Sequence, residues 1–342
     1  MHTHQHATVG EKLGRIWLAY GITNVREPGA DPYDALERKE AWASGQRPGP
    51  REYFTGGLTD GSRIYYGLAN SIVFSSHLEQ EMDRARRLGY DLIKTYVRMP
   101  DSLQKQITAA AHEIGIPVSS HEIYPAMGFN VDAVEHIRGT SRRGYSMKQS
   151  NLKATYSDVI DLLAKSQMNI TPTIGLQGGF YILADKHPEI YANRQLNVLY
   201  SESYVTTLKT SMQRIQRVFP SYLENFEAIQ KGVFDIVQAG GRVTAGTDSP
   251  FIPYGTSLHV EMQLYVDGGL TPFQALQSAT IRAAEAVGVA EDLGSVEAGK
   301  LADFVIVEGD PLQNIEDAWN VVSTFKAGQR YDIDELLEKP VL

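Results

Sequence analysis

Cysteine is absent from the 342-residue chain. This absence excludes disulfide bonds and thiolate metal ligands, so a metal ion would have to be bound by histidine, carboxylate or modified lysine side chains. Long apolar runs are absent too, since no stretch approaches the ~18 residues that a membrane helix needs. Residues 1–20 also lack the basic start, apolar centre and small-residue cleavage site of a signal peptide. We expect a soluble protein whose compartment the sequence leaves unknown.

The chain also lacks an excess of basic residues. The chain has 32 Lys and Arg against 41 Asp and Glu, which gives a net charge of −9 at pH 7. Surfaces that bind phosphate backbones are usually basic, so we expect neither a nucleic-acid nor a membrane partner. Hydrophobic residues at 42% and charged residues at 21% are typical of a globular protein. The net charge says nothing about small-molecule substrates.

Short apolar runs alternate along the chain with amphipathic helical stretches. The strand-like runs are ITNVRE, REYFTGG, DLIKTYV, IPVSSHE, VDAVEHIRG, MNITPTIG and GRVTAGTDSP. Buried parallel strands of this kind predict an α/β fold. Seven strands follow the N-terminal residues, so a start that ends a strand would complete a (β/α)8 TIM-like barrel. The chemistry of such a barrel lies at the C-terminal ends of its strands.

Two regions interrupt the alternation and suggest the domain boundaries. Residues from about 174 to 232 are rich in aromatic side chains and too long for a loop between a strand and a helix. They predict a helical insertion, either a lid over the barrel mouth or an added packing layer. Residues 291–342 contain β segments without intervening barrel helices. We therefore predict a barrel domain over residues 1–290 and a small separate β unit over residues 291–342.

Residues of metal-ligand type recur where the predicted strands end. The chain begins MHTHQH, and on a strand alternate residues share a face, so His2 with His4, or His4 with His6, could bind one ion. The other strand ends supply Lys94, His121, His136 and Asp248. Taken singly, each has an ordinary structural explanation, as a solvated tail, a surface lysine, a core histidine or a helix N-cap. Their recurrence at the strand ends favours a metal site.

This arrangement resembles the amidohydrolase superfamily of metal-dependent hydrolases. The family pattern is His-x-His on strand one, a carboxylated Lys on strand four, His on strands five and six, and Asp on strand eight. The chain supplies HTH, Lys94, His121, His136 and Asp248 in that order. The stretch LHVEMQLYVDGGLTPFQALQSATIRAAEAVGVAEDLGSVEAGKLADFVIVEGDP also resembles the family's C-terminal signature. Within the superfamily, the resemblance is strongest to imidazolonepropionase-like proteins and Xaa-Pro dipeptidases.

The resemblance implies a binuclear metal-dependent hydrolase with two divalent ions, which we expect to be zinc. A desolvated neutral Lys94 amine can add carbon dioxide, and the resulting carbamate suits a bridge between two ions. His2 and His4 would hold one ion, His121 and His136 the other. Asp248 would complete the first site and act as general base and then general acid. The expected reaction is hydrolysis, by a metal-bridging hydroxide, of an amide or peptide C–N bond in a dipeptide, N-acyl amino acid or cyclic amide.

Residues near Lys94 are candidates for binding the substrate. Lys94, Tyr96 and Arg98 alternate, so Tyr96 and Arg98 are predicted to face the same cavity, where Tyr96 could stabilise an oxyanion and Arg98 could pair with a substrate carboxylate. Packing at the strand end or a surface salt bridge explains the two residues equally well. Arg26 and Glu27, at the end of the next strand after the histidines, are interpreted as an internal ion pair.

The sequence departs from the family at its start. Family members have an Asp two residues before the first ligand His and a β-sandwich built from both sides of the barrel, whereas here Met1 alone precedes His2. We therefore expect a truncated first strand, a C-terminal sandwich remnant and exposed edges that favour self-association. The pairing of His4 with His6 stays open as an alternative. Two other functions also stay open: a non-catalytic binding module, and a phosphotriester or lactone hydrolase using the same site.

Overall fold

The computed structural model describes residues 1–7, 12–141 and 147–338. Parallel strands make up most of its β-structure. The strands are β1 (Asn24–Glu27), β2 (Arg51–Phe54), β3 (Thr59–Asp60), β4 (Asn70–Ser71), β5 (Ile93–Thr95), β6 (Val118–Ser120), β7 (Ala133–Glu135), β8 (Asn169–Thr171), β9 (Arg242–Val243), β10 (Phe304–Val307), β11 (Val321–Lys326) and β12 (Gln329–Asp332). Each of the seven strand-like runs in the sequence contains one of these strands.

Three sheets result from the pairing of these strands. The largest is parallel, with the order β4-β3-β5-β6-β7-β8-β9. Strands β1 and β2 form a parallel pair, and β10, β11 and β12 form an antiparallel sheet. The chain thus has an α/β fold with a parallel sheet, as its alternating apolar runs predict. The short strands β3 and β4 have no counterpart among the predicted runs.

Helices follow most of the parallel strands. They are α1 (Lys12–Ala19), α2 (Pro32–Ala43), α3 (Ser75–Leu88), α4 (Asp101–Glu113), α5 (Ser157–Ser166), α6 (Phe180–Lys186), α7 (Arg194–Leu199), α8 (Glu202–Val218), α9 (Phe226–Gln238), α10 (Thr256–Asp267), α11 (Pro272–Ala279), α12 (Ile281–Val287) and α13 (Ile333–Leu337). A π-helical turn covers Gly175–Gly179. Short 3₁₀ turns cover Ala126–Phe129, Pro188–Ala192, Pro220–Tyr222 and Ile315–Trp319.

Local sequence explains where several helices begin and end. The Asp31 side chain accepts hydrogen bonds from the first turn of α2, and Pro32 occupies the first helical position, where a missing N–H costs nothing. Helix α3 ends at Gly89, whose φ of 64° is the left-handed conformation that glycine adopts without strain. Thr271 and Gln274 form a reciprocal capping box at the start of α11.

The N-terminal segment, residues 2–6, lies between β1 and the chain that follows β9. The His2 amide donates to the Asn24 carbonyl at 2.9 Å, and on the other side the His6 amide donates to the Ser249 carbonyl at 2.7 Å. The segment is therefore bonded through its backbone to both neighbours. A further bond, from the amide of residue 91 to the carbonyl of residue 54 at 2.8 Å, connects the end of β2 to the chain entering β5.

Side chains of the region between β8 and α9 pack against the main hydrophobic core. Among the aromatic side chains of this region, Phe180 is fully buried, Tyr191 is nearly so, and the half-buried rings of Tyr200 and Tyr204 stack with centroids 4.7 Å apart. These side chains join the main hydrophobic core or pack against it. Of the two interpretations of this insertion, the packing layer agrees with these contacts.

The C-terminal sheet is attached to α1 and α2 by buried side-chain hydrogen bonds. Thr324 donates to the Leu18 carbonyl at 2.7 Å. The Lys326 ammonium donates to the carbonyls of Trp42 and Gly49, at 3.0 and 2.6 Å. Burial lowers the pKa of Lys326. Because these carbonyls lie at the end of α2 and in the loop before β2, Lys326 joins the small sheet to the larger fold.

Among the described residues, no helix combines the length and the apolar character that crossing a bilayer requires.

We predict that Lys326→Met lowers the free energy of unfolding by about 1–3 kcal/mol, because two carbonyls then lose a buried donor. Urea denaturation followed by circular dichroism measures the change. The control is Lys209→Met on the exposed face of α8, which removes a lysine without breaking such a contact. Equal midpoints for the two variants would contradict the proposed attachment.

Candidate metal centre

A cavity of about 620 Å³ opens where the parallel strands of the larger sheet end. Lys94 belongs to β5, His121 and His136 come directly after β6 and β7, and Asp248 lies five residues beyond β9. His4 and His6 reach the same cavity from the N-terminal segment. Besides Asp31, whose carboxylate caps α2, the residues of metal-ligand type that line the cavity are His4, His6, Lys94, His121, His136 and Asp248.

The Asp248 carboxylate lies at the centre of the histidines. Its Oδ1 is 3.3 Å from Nε2 of His4 and 3.3 Å from Nε2 of His6, and its Oδ2 is 3.7 Å from Nε2 of His136. Each of His4, His136 and Asp248 offers one ligand atom, and these atoms lie within 4.8 Å of one another. Three nitrogen or oxygen donors at this separation could hold one divalent cation.

The histidines share an orientation that leaves the same nitrogen facing the cavity. In each ring Nδ1 is engaged by an acceptor of the protein: the carboxylate of Glu135 for His4 (2.7 Å), the carboxylate of Glu27 for His6 (2.8 Å), the carbonyl of Thr140 for His121 (3.0 Å) and the hydroxyl of Thr173 for His136 (2.7 Å). A proton on Nδ1 leaves the lone pair on Nε2. Histidines that bind metals almost always have such a partner on the other nitrogen.

Burial lowers the pKa of two histidines of the site, as metal binding requires, whereas neighbouring charges determine the ionisation of Asp248 and His6. It lowers the pKa of His136 to about 3 and that of His121 well below its usual value, so both rings are neutral at pH 7. Burial opposes the ionisation of Asp248, but the neighbouring His4 and His136 hold its pKa well below the usual range. Burial likewise opposes protonation of His6, yet the carboxylates of Glu27 and Asp248 raise the pKa of His6 to about 10. A metal ion would therefore have to displace the Nε2 proton of His6, whereas the neutral His121 and His136 offer a lone pair.

His136 and Asp248 both have backbone angles that non-glycine residues rarely adopt. Their φ values are 59° and 58°, in the left-handed region. Such conformations cost on the order of 1–3 kcal/mol and cluster at functional sites, where the surrounding structure holds them. In both residues the turn of the backbone brings the side chain to the cavity.

Lys94 lies at the base of the cavity next to Glu135. Its Nζ is 3.6 Å from the Glu135 carboxylate, and Lys94 is 1% exposed. Burial lowers the pKa of Lys94 to about 8. Glu135 also forms an ion pair with Arg26, and although burial opposes its ionisation, Arg26, Lys94 and His4 hold its pKa well below the usual range.

The prediction that Arg26 and Glu27 form an ion pair with each other is wrong. Arg26 pairs with Glu135, whereas Glu27 pairs with His6. The reason is the alternation of a strand, which directs neighbouring residues of β1 to opposite faces. Both residues thus support the histidines of the candidate site.

His2 does not line the cavity that the other candidate ligands share. Its Nε2 lies 2.8 Å from the Thr247 hydroxyl, and its ring is 4.9 Å from that of Trp17 in α1. The segment forms isolated bridges at His2 and Gln5 and no regular ladder, so strict alternation does not extend over residues 2–6. This geometry favours the pairing of His4 with His6 over that of His2 with His4.

Of the two predicted substrate-binding residues, one lines the cavity. Tyr96 does so, with its ring 4.7 Å from that of His121. Arg98 instead donates to the Ile64 carbonyl at 2.7 Å and lies over the ring of Tyr65, in a neighbouring cavity of about 320 Å³. The expectation for Arg98 assumed strand geometry, but β5 ends at Thr95, so the alternation does not reach residue 98.

Several residues around the site were not singled out from the sequence. Glu135 precedes His136 in AVEHIRG and joins Arg26, Lys94 and His4. Arg138, two residues after His136, is exposed and lines the cavity, as do Leu176 and Gln177. The strand alternation that directs Glu135 inward is visible in the sequence, whereas the loop positions of Leu176 and Gln177 depend on the fold.

Curated relatives match parts of the chain. Imidazolonepropionase of Shouchella clausii is 38% identical over 99 residues, which are 28% of this chain and 22% of the relative. Imidazolonepropionase of Pseudomonas fluorescens is 25% identical over 217 residues, 63% of this chain and 41% of the relative. Ochratoxinase of Aspergillus niger is 31% identical over 111 residues, 32% and 21% of the two proteins. The chain thus spans less than half the length of these curated relatives.

Solved structures resemble the fold over nearly the whole chain. A bottromycin amidohydrolase has a TM-score of 0.74 at 19% identity, covering 98% of this chain and 76% of that one. A Xaa-Pro dipeptidase with methionine bound in its active site has a TM-score of 0.70 at 19% identity, covering 97% and 85%. At such identities the likeness concerns the fold alone.

The model of the amidohydrolase family matches residues 21–331. This range contains β1 to β11, all of β12 except Asp332, and every candidate ligand except those of the N-terminal segment. The chain therefore belongs to the amidohydrolase family.

Proposed function

We propose that the protein is a metal-dependent hydrolase that cleaves an amide or peptide C–N bond in a small substrate. The observation that carries this proposal is the shared orientation of four histidines, whose Nδ1 atoms are engaged and whose Nε2 atoms face one cavity. Membership of the amidohydrolase family supports the hydrolytic chemistry. So do the names of similar proteins, which include imidazolonepropionase, ochratoxinase and Xaa-Pro dipeptidase.

Two divalent ions, which we propose to be zinc, would be held by the cavity residues. His4, His6 and Asp248 would bind one ion, and His121 and His136 the other. Lys94, as a carbamate, would lie between them, and its lowered pKa increases the neutral amine that adds carbon dioxide. Arg26 would offset the added negative charge beside Glu135. When bound, such ions lower the pKa of water and polarise the scissile carbonyl.

The protein's own residues would move the proton and orient the substrate. Asp248 would take a proton from the attacking water and pass it to the leaving amine, since its carboxylate is ionised and faces the cavity. The Tyr96 hydroxyl would donate a hydrogen bond to the developing oxyanion. Arg138 would pair with a substrate carboxylate at the cavity edge. A cavity of about 620 Å³ suits a dipeptide, an N-acyl amino acid or a cyclic amide.

The proposal includes a domain organisation. Residues 1–290 would form one (β/α)8 barrel, in which the N-terminal segment and both parallel sheets belong to a single ring of strands. The bonds of residues 2–6 to β1 and to the chain after β9 support this ring. Residues 291–342 would form the smaller β unit. The acidic net charge supports a small-molecule partner over a nucleic acid.

Metal content distinguishes the two histidine pairings. We predict that wild type retains about two zinc ions per chain after dialysis, that His6→Asn loses one, and that His2→Gln retains both. The matched substitutions keep the contacts in the structure, because Asn retains a donor near the Nδ1 position of His6 and Gln one near the Nε2 position of His2. Elemental analysis of folded samples measures the ions. Loss in His2→Gln with retention in His6→Asn would restore the other pairing, and a metal-free wild type would refute the metal site.

Replacement of Asp248 tests the proton transfer. We predict that Asp248→Asn lowers kcat by about 100-fold or more while most of the metal is retained, because the amide can still contribute an oxygen but cannot accept a proton. Steady-state kinetics and elemental analysis of the same sample give the two quantities. Turnover within a few-fold of wild type would remove Asp248 from the chemical step.

Substrate class is tested with dipeptides and N-acyl amino acids, each compared with its C-terminally amidated form. We predict that amidation lowers kcat/KM about tenfold or more in wild type, and that Arg138→Gln abolishes this preference, since hydrogen bonds to charged groups contribute about 1.5–3 kcal/mol. Arg98→Gln, outside the cavity, is the matched control and keeps the preference. Activity confined to phosphotriesters or lactones would overturn the amide assignment.

A further inference from the structure

We infer that Glu261 is a positioning residue that fixes one wall of the substrate cavity and thereby sets which substrates fit. The wall is the turn of residues 174–179, called here the cavity turn, whose Leu176 and Gln177 line the cavity. This inference rests on the proposed function, because it concerns the selectivity of the same cavity. It assigns Glu261 no contact with the reacting atoms.

Glu261 holds the cavity turn by its backbone. It lies in α10 and is fully buried. Its Oε1 accepts a hydrogen bond from the Ile174 amide at 2.8 Å, and its Oε2 accepts one from the Gly175 amide at 2.6 Å. The Tyr265 hydroxyl donates to Oε1 at 2.9 Å. Both carboxylate oxygens are therefore used, and two of their three donors belong to the cavity turn.

The cavity turn needs such an external attachment because its own sequence specifies its conformation weakly. Gly175, Gly178 and Gly179 make up half of its six residues, and glycine has the greatest backbone freedom. The helical geometry is broken at Gln177 and at Gly178, where φ is 104°. A second attachment is the hydrogen bond that the Tyr222 hydroxyl donates to the Leu176 carbonyl.

The position of Glu261 separates its effect from that of the candidate metal ligands. The ligands come from the N-terminal segment, β5, the ends of β6 and β7 and the chain after β9, whereas the cavity turn follows β8. A displacement of the turn would move Leu176 and Gln177 relative to a bound substrate. Among the ligands, His136 contacts the residue before the turn, through the hydrogen bond between its Nδ1 and the Thr173 hydroxyl. The expected consequence is altered discrimination between substrates of different bulk.

The burial of a carboxylate at this position has an energetic cost. Burial raises the pKa of Glu261 to about 7, while the two amides and Tyr265 oppose that shift. A buried carboxylate costs folding free energy unless its hydrogen bonds compensate. An apolar side chain would avoid the cost but would leave the amides of Ile174 and Gly175 without their acceptor. Fixing the cavity turn is the role that accounts for a carboxylate here.

The test is Glu261→Gln, with Tyr265→Phe as the matched control. Glutamine keeps the volume of the side chain but has one acceptor oxygen, so one of the two backbone amides loses its hydrogen-bond acceptor. Tyr265→Phe leaves the hydrogen bonds from both amides to Glu261 intact. We expect Glu261→Gln to change the ratio of kcat/KM between N-benzoyl and N-acetyl amino acids about fivefold or more, with kcat on the acetyl compounds within about twofold of wild type. Tyr265→Phe keeps the wild-type ratio.

Hydrogen exchange followed by mass spectrometry supplies a readout independent of turnover. Exchange in the segment containing Ile174 and Gly175 is expected to accelerate in Glu261→Gln, while exchange in β5, β6 and β7 stays as in wild type. Leu176→Ala is expected to change the same substrate ratio, and the double variant to show less than the sum of the two effects, since both act on one wall.

The outcomes separate this inference from the proposed function. An unchanged ratio in an active Glu261→Gln, or an equal loss of kcat on every compound, overturns the role of Glu261. If Glu261→Gln fails to fold, Glu261→Asp gives the same test, because its shorter side chain cannot reach both amides. If wild type hydrolyses neither the N-benzoyl nor the N-acetyl compounds, N-acyl amino acids are excluded as substrates, and the proposed function fails if dipeptides and cyclic amides are not hydrolysed either. The ratio of the dissociation constants of the N-benzoyl and N-acetyl compounds in wild type and Glu261→Gln then tests the wall, and an unchanged ratio overturns it.

Discussion

The convergence of three imidazoles on the Asp248 carboxylate is the interaction on which the candidate site depends. His4 and His6 arrive from the N-terminal segment and His136 from the end of β7, and each points Nε2 at this one side chain. A buried carboxylate surrounded in this way stays ionised because its neighbours oppose the effect of burial. The N-terminal segment and the end of β7, which are far apart in the sequence, therefore meet at Asp248.

Charged residues behind the histidines hold the imidazole rings in position. Glu135 and Glu27 engage Nδ1 of His4 and His6, and Arg26 pairs in turn with Glu135. Removing one member of such a buried network leaves a charge without a partner, which costs more than the intact network contributes. The strands β1 and β7 therefore support the site even though none of their residues within the strand itself is a proposed ligand.

Much of this arrangement can be predicted from the sequence where the strands are regular, and less of it where they are not. Buried strands carry short apolar runs, so seven of the strands and the positions of Lys94, His121 and Asp248 in the cavity follow from the pattern, whereas the short strands β3 and β4 do not. The pairing of histidines does not, because residues 2–6 lack a regular ladder. Arg98 fails for a related reason, since alternation holds only within a strand and β5 ends at Thr95. The conformation of such irregular strand ends depends on the neighbouring segments that pack against them, which the local sequence does not specify.

The attachment of residues 2–6 also bears on how quickly an ion could leave. These residues are held by backbone hydrogen bonds to β1 and to the chain after β9, whereas His121 and His136 follow strands inside the larger sheet. Opening of a short segment requires breaking fewer contacts than opening of the sheet, so local unfolding is cheaper there. An ion bound through His4 and His6 would thus exchange faster with solution than one bound through His121 and His136. The two halves of the site would differ in kinetic lability even if they bound the same element with equal affinity.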